Sequence, residues 1–180
     1  MLTGKMRAAV ELTAALLLVF AIEAWAAAKP APELSLTDQS GQEHSLASYR
    51  GKVVVLNFWA TWCMPCRHEL PMLNKLAQEY AGKDVVFVAA SLDEKDTQKQ
   101  IPRFLEKKKI SLPVWVGATP DSLDHMDLGK IIPATIILDQ QGEVVGRIMG
   151  EARRKEIAER LDWVLNGRAG KAPKPVVKHY

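Results

Sequence analysis

Apolar residues fall along the chain in two patterns, continuous runs and stripes with helical spacing. The run VVVLNFW at 53–59 is rich in β-branched and aromatic residues, which is typical of a strand buried on both faces. A second run, VVFVAA, follows at 85–90. Between the two runs, apolar residues recur with helical spacing over 64–80, and Gly82 ends that stretch. The pattern therefore predicts a strand, a helix and a second strand.

The following part of the chain has shorter elements. Helical spacing predicts helices over 97–109 and 151–165. Residues 112–116 are a candidate strand, and 120–128 are predicted as a loop or a small helix.

Two β-hairpins complete the predicted elements. Apolar and polar residues alternate on either side of Ser40-Gly41, which predicts a short hairpin near the N-terminus. Segments 135–138 and 144–149 flank the turn sequence DQQG and predict the second hairpin. After the first hairpin the order is β-α-β-α-(β)-β-β-α. This order predicts an α/β fold with a mixed central sheet flanked by helices.

Composition and charge narrow the classes of protein that fit. The chain has 180 residues, 48% of them apolar and 25% charged, which suits one globular domain and excludes collagen, a disordered chain or a multi-span membrane protein. The first 26 residues carry two basic and two acidic groups, and the last 15 carry four basic and none acidic. The remainder therefore has a net charge of about −1, and nothing in it favours nucleic acid as a partner.

The N-terminal 28 residues have the pattern of a targeting segment. Basic residues precede an apolar run at 14–22, and small residues typical of a cleavage site follow it. We interpret 1–28 as a signal peptide. The alternative is a retained N-terminal anchor, although Glu11 and Glu23 would be costly in a bilayer. Either interpretation predicts export to the periplasm or to the outer face of the cytoplasmic membrane. The folded domain is predicted to span 29–165, and the tail at 166–180, rich in Gly, Pro and Lys, is predicted to be disordered.

The two cysteines, Cys63 and Cys66, stand where the first buried strand is predicted to turn into a helix. The free N–H groups and the dipole at a helix N-terminus favour an anion, so we expect a lowered thiol pKa and a nucleophilic role for Cys63. Cys66 lies one turn further along, near enough to form a disulfide but shielded by the helix. The spacing therefore predicts a redox-active pair in which Cys66 is the resolving thiol.

Other uses of this pair fit less well. Covalent haem attachment needs a His directly after the second Cys, and here His68 comes one place late. Zinc needs about four ligands, and the four His residues are scattered. We therefore expect no cofactor and no metal. A purely structural disulfide stays open as an alternative, although a four-residue ring constrains the unfolded chain little.

Residues 57–67, NFWATWCMPCR, resemble the active-site segment of the thioredoxin superfamily. The extension Glu69-Leu70-Pro71, with the N-terminal hairpin, is similar to the TlpA/ResA-like branch, and the segment Ile131–Thr135 resembles the superfamily's X-cis-Pro-Thr element. The resemblance covers about 33–165. It implies a thioredoxin fold with a family insertion within 92–116.

The resemblance also implies a function. Members of this branch are exported or membrane-tethered thiol-disulfide oxidoreductases, and many act as reductants, notably of apocytochrome c cysteines before haem attachment. The implied partners are protein thiols and disulfides and a membrane or periplasmic electron donor. A thiol oxidase or isomerase, and a non-catalytic thioredoxin-fold binding module with a structural disulfide, are the alternatives.

Several residues receive roles through the resemblance. Asn57 stands where cytosolic thioredoxins usually carry Asp, and Glu69 is the branch's substitute. Glu69 lies three residues after Cys66, so we expect a partly buried carboxyl with a raised pKa that exchanges a proton with that thiol. The alternative is a surface Glu that complements the helix dipole.

The resemblance places a cis Ile132–Pro133 bond opposite the cysteine pair, where the backbone of Ile132 would pair with substrate. Trp59 and Trp62 are predicted to pack around the disulfide. Substrate contact is a secondary role for Trp62.

Overall fold

The residues described by the computed structural model, 33–179, share one mixed eight-stranded sheet. The strand order is β2-β1-β5-β4-β3-β6-β7-β8. Parallel pairing joins β3 to β4, β4 to β5 and β7 to β8, and the other neighbours are antiparallel. The strands are β1 (Ser35–Asp38), β2 (Glu43–Ser45), β3 (Val53–Trp59), β4 (Val85–Ser91), β5 (Val114–Val116), β6 (Ala134–Leu138), β7 (Val144–Met149) and β8 (Val176–Lys178).

Five α-helices and one 3₁₀ turn accompany the sheet in the described residues. Prediction and structure agree on the helix near 64–80, the helix near 151–165 and the small helix within 120–128. The helices are α1 (Met64–Glu79), α2 (Lys95–Gln98), α3 (Ile101–Lys108), α4 (Pro120–Asp124) and α5 (Arg154–Leu165), and the 3₁₀ turn is Leu46–Tyr49.

Strand β3 lies in the middle of the sheet with all seven of its residues buried. Alternate side chains of a strand point to opposite faces, so β3 supplies two separate apolar clusters. Val53, Val55 and Trp59 join the cluster that contains the buried face of α1 and α5. The other face of β3 packs with Trp115 and Leu123. Asn57 is spaced by two from Val55 and Trp59, so its buried polar side chain points to the same face of the sheet as theirs, toward α1.

The predicted strands, both hairpins and the mixed sheet flanked by helices are confirmed. The helix predicted over 97–109 is instead two helices, α2 and α3, separated at Lys99-Gln100. Pro102 explains the break, because proline lacks an N–H and fits only the first turn of a helix. The segment 92–116, assigned to a family insertion, contains α2, α3 and β5.

The prediction of a disordered tail at 166–180 is wrong for its last part, where β8 pairs with β7. The open edge of a sheet offers unpaired N–H and C=O groups, and Val176 and Val177 are β-branched residues that suit a strand. Around this pairing, the His179 N–H donates to the Met149 carbonyl at 2.8 Å. The buried guanidinium of Arg160 donates to the Lys174 carbonyl.

The predicted signal peptide or anchor at 1–28 lies outside the described residues. Within 33–179, no helix is long and apolar enough to cross a membrane.

Candidate active site

Cys63 and Cys66 form a disulfide at the N-terminus of α1, and their Cα atoms are 5.3 Å apart. Cys63 is the N-cap residue of the helix, and its Sγ accepts a hydrogen bond from the Cys66 N–H at 3.3 Å. Cys63 is 6% exposed, whereas Cys66 is completely buried. The predicted placement is confirmed: the pair sits at the strand-to-helix turn, with the second sulfur shielded.

A buried aspartate fixes the loop that leads into Cys63. The Asp93 carboxylate accepts hydrogen bonds from the Thr61 N–H at 2.8 Å and from the Thr61 hydroxyl at 2.5 Å. The Ser91 hydroxyl donates to the same carboxylate at 2.8 Å. The sequence analysis missed Asp93. Its position just after a buried strand, at the sheet edge where parallel strands end, is the signal that could have found it.

The Ile132–Pro133 bond is cis, as predicted. Ala134 pairs with Phe58, so Pro133 lies at the end of β3 from which the chain enters the disulfide segment. Pro65, which stands between the two cysteines, and Pro133 line the same groove, of about 670 Å³. This groove, here called the apolar groove, is also lined by Leu128, Ile131, Ile132 and Met149.

The two tryptophans near the disulfide differ in environment. Trp59 is completely buried and stacks at a tilt on Phe104, with ring centroids 5.4 Å apart. Trp62 is 62% exposed, so most of its side chain faces solvent, and its packing around the disulfide stays a prediction. Met64 and Ile131 are also exposed, Ile131 at 71%. Trp62 lies three places after the end of β3 and has no neighbouring strand to cover it, which leaves an apolar surface near the disulfide.

Glu69 is 1% exposed, on the buried face of α1. Its carboxylate accepts hydrogen bonds from the Asn57 side-chain amide at 3.0 Å and from the Ala152 N–H at 2.8 Å. Burial raises the pKa of Glu69 to about 7, and the negative charge of Glu151 adds to the rise, against the lowering by the two hydrogen bonds. The surface alternative for Glu69 is therefore wrong.

Asn57 joins Glu69 to the sheet. Its Nδ2 donates to both Glu69 Oε2 and Thr135 Oγ1, each at 3.0 Å, whereas its Oδ1 is buried and has no hydrogen-bond partner. A buried carbonyl oxygen without a hydrogen-bond donor is costly inside a protein, so Asn57 Oδ1 is an acceptor with capacity for one more hydrogen bond. Each oxygen of the Glu69 carboxylate thus faces one N–H donor, from the Asn57 amide or from the Ala152 backbone.

No cluster of three or more His, Cys, Asp or Glu side chains suited to a metal ion occurs within 33–179.

Comparison with known proteins places this site in a family. The AhpC/TSA family model matches residues 27–147. The chain is 36% identical to the thioredoxin-like protein YneN of Bacillus subtilis over 132 residues, covering 73% of this chain and 76% of that one. It is 35% identical to the thiol-disulfide oxidoreductase ResA of Geobacillus kaustophilus, covering 73% and 74% of the two chains. A thiol:disulfide interchange protein of the thioredoxin family from Chlorobium tepidum superimposes with a TM-score of 0.63 at 29% identity, covering 77% and 97%.

The fold and the disulfide at its helix N-terminus define a thiol-disulfide oxidoreductase of the thioredoxin superfamily. The chain belongs to the AhpC/TSA family, and the resemblance to ResA-like proteins is confirmed.

Proposed function

We propose that the protein is an exported reductase of protein disulfides that works through the Cys63–Cys66 couple. Apocytochrome c, with its paired cysteines, belongs to the substrate class we propose. A membrane or periplasmic donor would return the couple to the dithiol. The observation that carries the proposal is the buried Glu69, on the same side of α1 as Cys66 and with its pKa raised to about 7.

Reduction of a substrate disulfide by the dithiol protein takes two successive thiol-disulfide exchanges. The thiolate of reduced Cys63 attacks one sulfur of the substrate disulfide, forms a mixed disulfide and releases the first substrate thiolate. The thiolate of Cys66 then attacks Cys63 Sγ, which restores the intramolecular disulfide and releases the second substrate thiolate. The substrate gains two electrons, and the Cys pair loses them. The structure, in which Cys63 and Cys66 form a disulfide, corresponds to the oxidised protein at the end of these two exchanges.

Glu69 supplies the base for the second exchange. Residues three apart on a helix have Cβ atoms roughly 5–6 Å apart, which brings this carboxyl near Cys66. Cys66 is completely buried, so bulk water cannot readily take its proton. Glu69 has a pKa near neutrality, which suits a group that must accept a proton and later return it. Once protonated, Glu69 could donate to Asn57 Oδ1 after rotation of that amide.

The Glu69 carboxyl also supports electron flow from the Cys63–Cys66 pair to the substrate. Strong oxidants of this fold are oxidising because their reduced form is stabilised. A buried carboxyl beside the resolving thiol works in the opposite sense, because its negative charge disfavours a thiolate on Cys66. The dithiol form therefore lacks the thiolate stabilisation that makes the strong oxidants of this fold oxidising.

Ile132 is the backbone group that we propose pairs with substrate. Within 33–179 its N–H and C=O make no hydrogen bond, while the next carbonyl, that of Pro133, accepts from the Gly150 N–H at 2.9 Å. An extended substrate segment could therefore bond to Ile132 in the manner of an added strand. Exposed Trp62 would cover the substrate from the other side of the disulfide.

A turnover assay tests the proposal. The reduced full-length protein, supplied with an excess of a thiol reductant, should reduce a protein disulfide faster than the reductant alone does. The Ile132→Pro variant then tests the role of the Ile132 backbone, because proline removes the free N–H and leaves both cysteines in place. We expect it to lower the rate with protein disulfides by about tenfold while a small disulfide reacts at the wild-type rate. A wild-type protein that adds nothing to the reductant would contradict the proposal.

A further inference from the structure

A second cavity, which shares no lining residue with the apolar groove, is strongly basic. Its volume is about 410 Å³, and four of its seven lining residues are cationic while none is acidic. We call it the basic pocket and define it by Arg67, Lys99, Arg103 and Lys107, with Thr61, Gln100 and Phe104 completing its lining.

One of the four cations lies on α1, two lie on α3, and Lys99 lies in the short link between α2 and α3. Arg67 belongs to α1, and its guanidinium lies 5.4 Å from the centre of the Phe104 ring of α3. Lys99, Arg103 and Lys107 follow one another at intervals of four residues, and both Lys99 and Gln100 have helical backbone angles that continue into α3. Residues spaced by four share one helix face, so these side chains form a stripe.

These charges are not neutralised within the described part of the chain, where none of the four makes an ion pair with a carboxylate. Like charges four residues apart destabilise a helix. The dipole of α3 favours Lys107 in its last turn but disfavours Arg103 and Lys99 near its start. The stripe therefore opposes the stability of its own helix, on a domain whose overall charge is close to zero.

The basic pocket adjoins the reacting sulfurs. Thr61 precedes Cys63 by two residues, so their Cα atoms are within about 7.6 Å of one another. Arg67 directly follows Cys66. A polypeptide whose cysteine is bonded to Cys63 would therefore have its neighbouring residues within reach of the pocket.

We propose that the basic pocket binds an acidic segment of the partner protein, with Asp or Glu residues close to the exchanging cysteine. The proposal rests on the proposed function, and it adds the chemistry by which the partner is selected. The pocket is concave and has an aromatic floor, which suits inserted side chains, whereas a flat membrane surface needs cations that protrude. Charges of this kind act mainly on the rate of encounter and are screened by salt.

The test uses three peptides that share one sequence with an internal disulfide. Three residues beside the cysteines are Asp in one peptide, Lys in the second and Ser in the third. The rate constant for oxidation of the reduced full-length protein is measured with each, at about 0.02 M and about 0.5 M salt. We expect the Asp peptide to react about tenfold faster than the Lys peptide at low salt, with the difference nearly gone at high salt.

Two triple variants assign this preference to the pocket. Lys99→Gln/Arg103→Gln/Lys107→Gln should lose the preference and keep the wild-type rate with the Ser peptide. Lys52→Gln/Lys75→Gln/Lys171→Gln makes the same change in charge at exposed positions outside the pocket, and should keep the preference.

Four results would overturn the inference. Equal rates with the Asp and Lys peptides, or a preference that survives in the pocket variant, would remove the docking role. So would a pocket variant that is slow with the Ser peptide, because the cations would then act on the chemistry. Binding of phosphatidylglycerol vesicles through the pocket without any preference for the Asp peptide would assign it to a membrane. In all four cases the proposed function stands; it fails, together with the inference, only if wild type reacts with no peptide.

Discussion

Replacing Cys63 with Ser is expected to abolish disulfide reduction, and replacing Cys66 with Ser to stop the reaction one step later. Cys63 is the partly accessible sulfur at the helix N-terminus, whereas Cys66 is completely buried and cannot meet a substrate. Turnover should fall by at least about 10³-fold in both variants, because each lacks one of the two sulfurs that the exchange needs. Only Cys66→Ser keeps the attacking thiol. It should therefore accumulate a mixed disulfide with substrate.

Non-reducing gels and intact mass measurement of each variant after incubation with a protein disulfide distinguish the two roles. The Cys66→Ser variant should show a covalent adduct that a thiol reductant releases, and Cys63→Ser should show none. Both variants lack the Cys63–Cys66 disulfide, so any loss of stability caused by its absence is common to the two. A difference in trapping therefore reports the roles of the two thiols. Equal trapping by the two variants would contradict the assignment of attacking and resolving thiols.

Replacing Glu69 with Gln is expected to slow turnover by about 10²-fold while the first attack by Cys63 proceeds at the wild-type rate. Gln keeps the hydrogen bond from the Ala152 N–H but cannot accept a proton from Cys66 near pH 7. The Gln amide can be accommodated, because rotation of Asn57 would turn its unpartnered Oδ1 toward the new N–H.

Single-turnover kinetics measure the two steps separately, as formation and decay of the mixed disulfide between pH 5 and 9. In wild type, decay should depend on a group that titrates near pH 7, and this dependence should be missing in Glu69→Gln. Glu79→Gln is the control, because Glu79 is a half-exposed carboxyl at the other end of the same helix. A Glu69→Gln variant with wild-type decay at every pH would show that Cys66 loses its proton by another route.

The raised pKa of Glu69 also has a consequence for stability. In the unfolded chain this carboxyl loses its proton near pH 4.5, and in the folded protein near about 7. Between these values the folded state holds more protons, so the free energy of unfolding falls as pH rises. The loss amounts to roughly 3 kcal/mol and is complete above about pH 7. Urea unfolding of the oxidised protein at pH 4 and pH 8 should show this loss in wild type and not in Glu69→Gln.

The sequence predicts the parts of the site that depend on local pattern. The buried run at β3 and the helical stripe of α1 place Cys63 at a helix start, and the spacing of three from Cys66 anticipates a buried Glu69. These follow because strand and helix periodicities are strong and local.

The contacts that complete the site are not local, and no pattern along the chain gives them. Ala152 donates to Glu69 across 83 positions of sequence, and Asp93 reaches Thr61 across 32. Both depend on which loops the sheet order brings together. Strand β8 was missed for a related reason: its composition resembles a solvated tail, and only the open edge of β7 makes it a strand. The spacing of Lys99, Arg103 and Lys107 can be read from the sequence, but their meeting with Arg67 in one pocket depends on the packing of α1 against α3.

The reduction potential of the Cys63–Cys66 couple tests the central claim most directly. The full-length protein is equilibrated at pH 7 with glutathione buffers of graded ratio, quenched with acid, and the fraction of dithiol is measured by mass after alkylation. A reductase predicts a potential near that of thioredoxin, about −270 mV, since Glu69 disfavours a thiolate on Cys66. A value near about −120 mV, typical of a strong oxidant of the same fold, would contradict the proposed direction of electron flow.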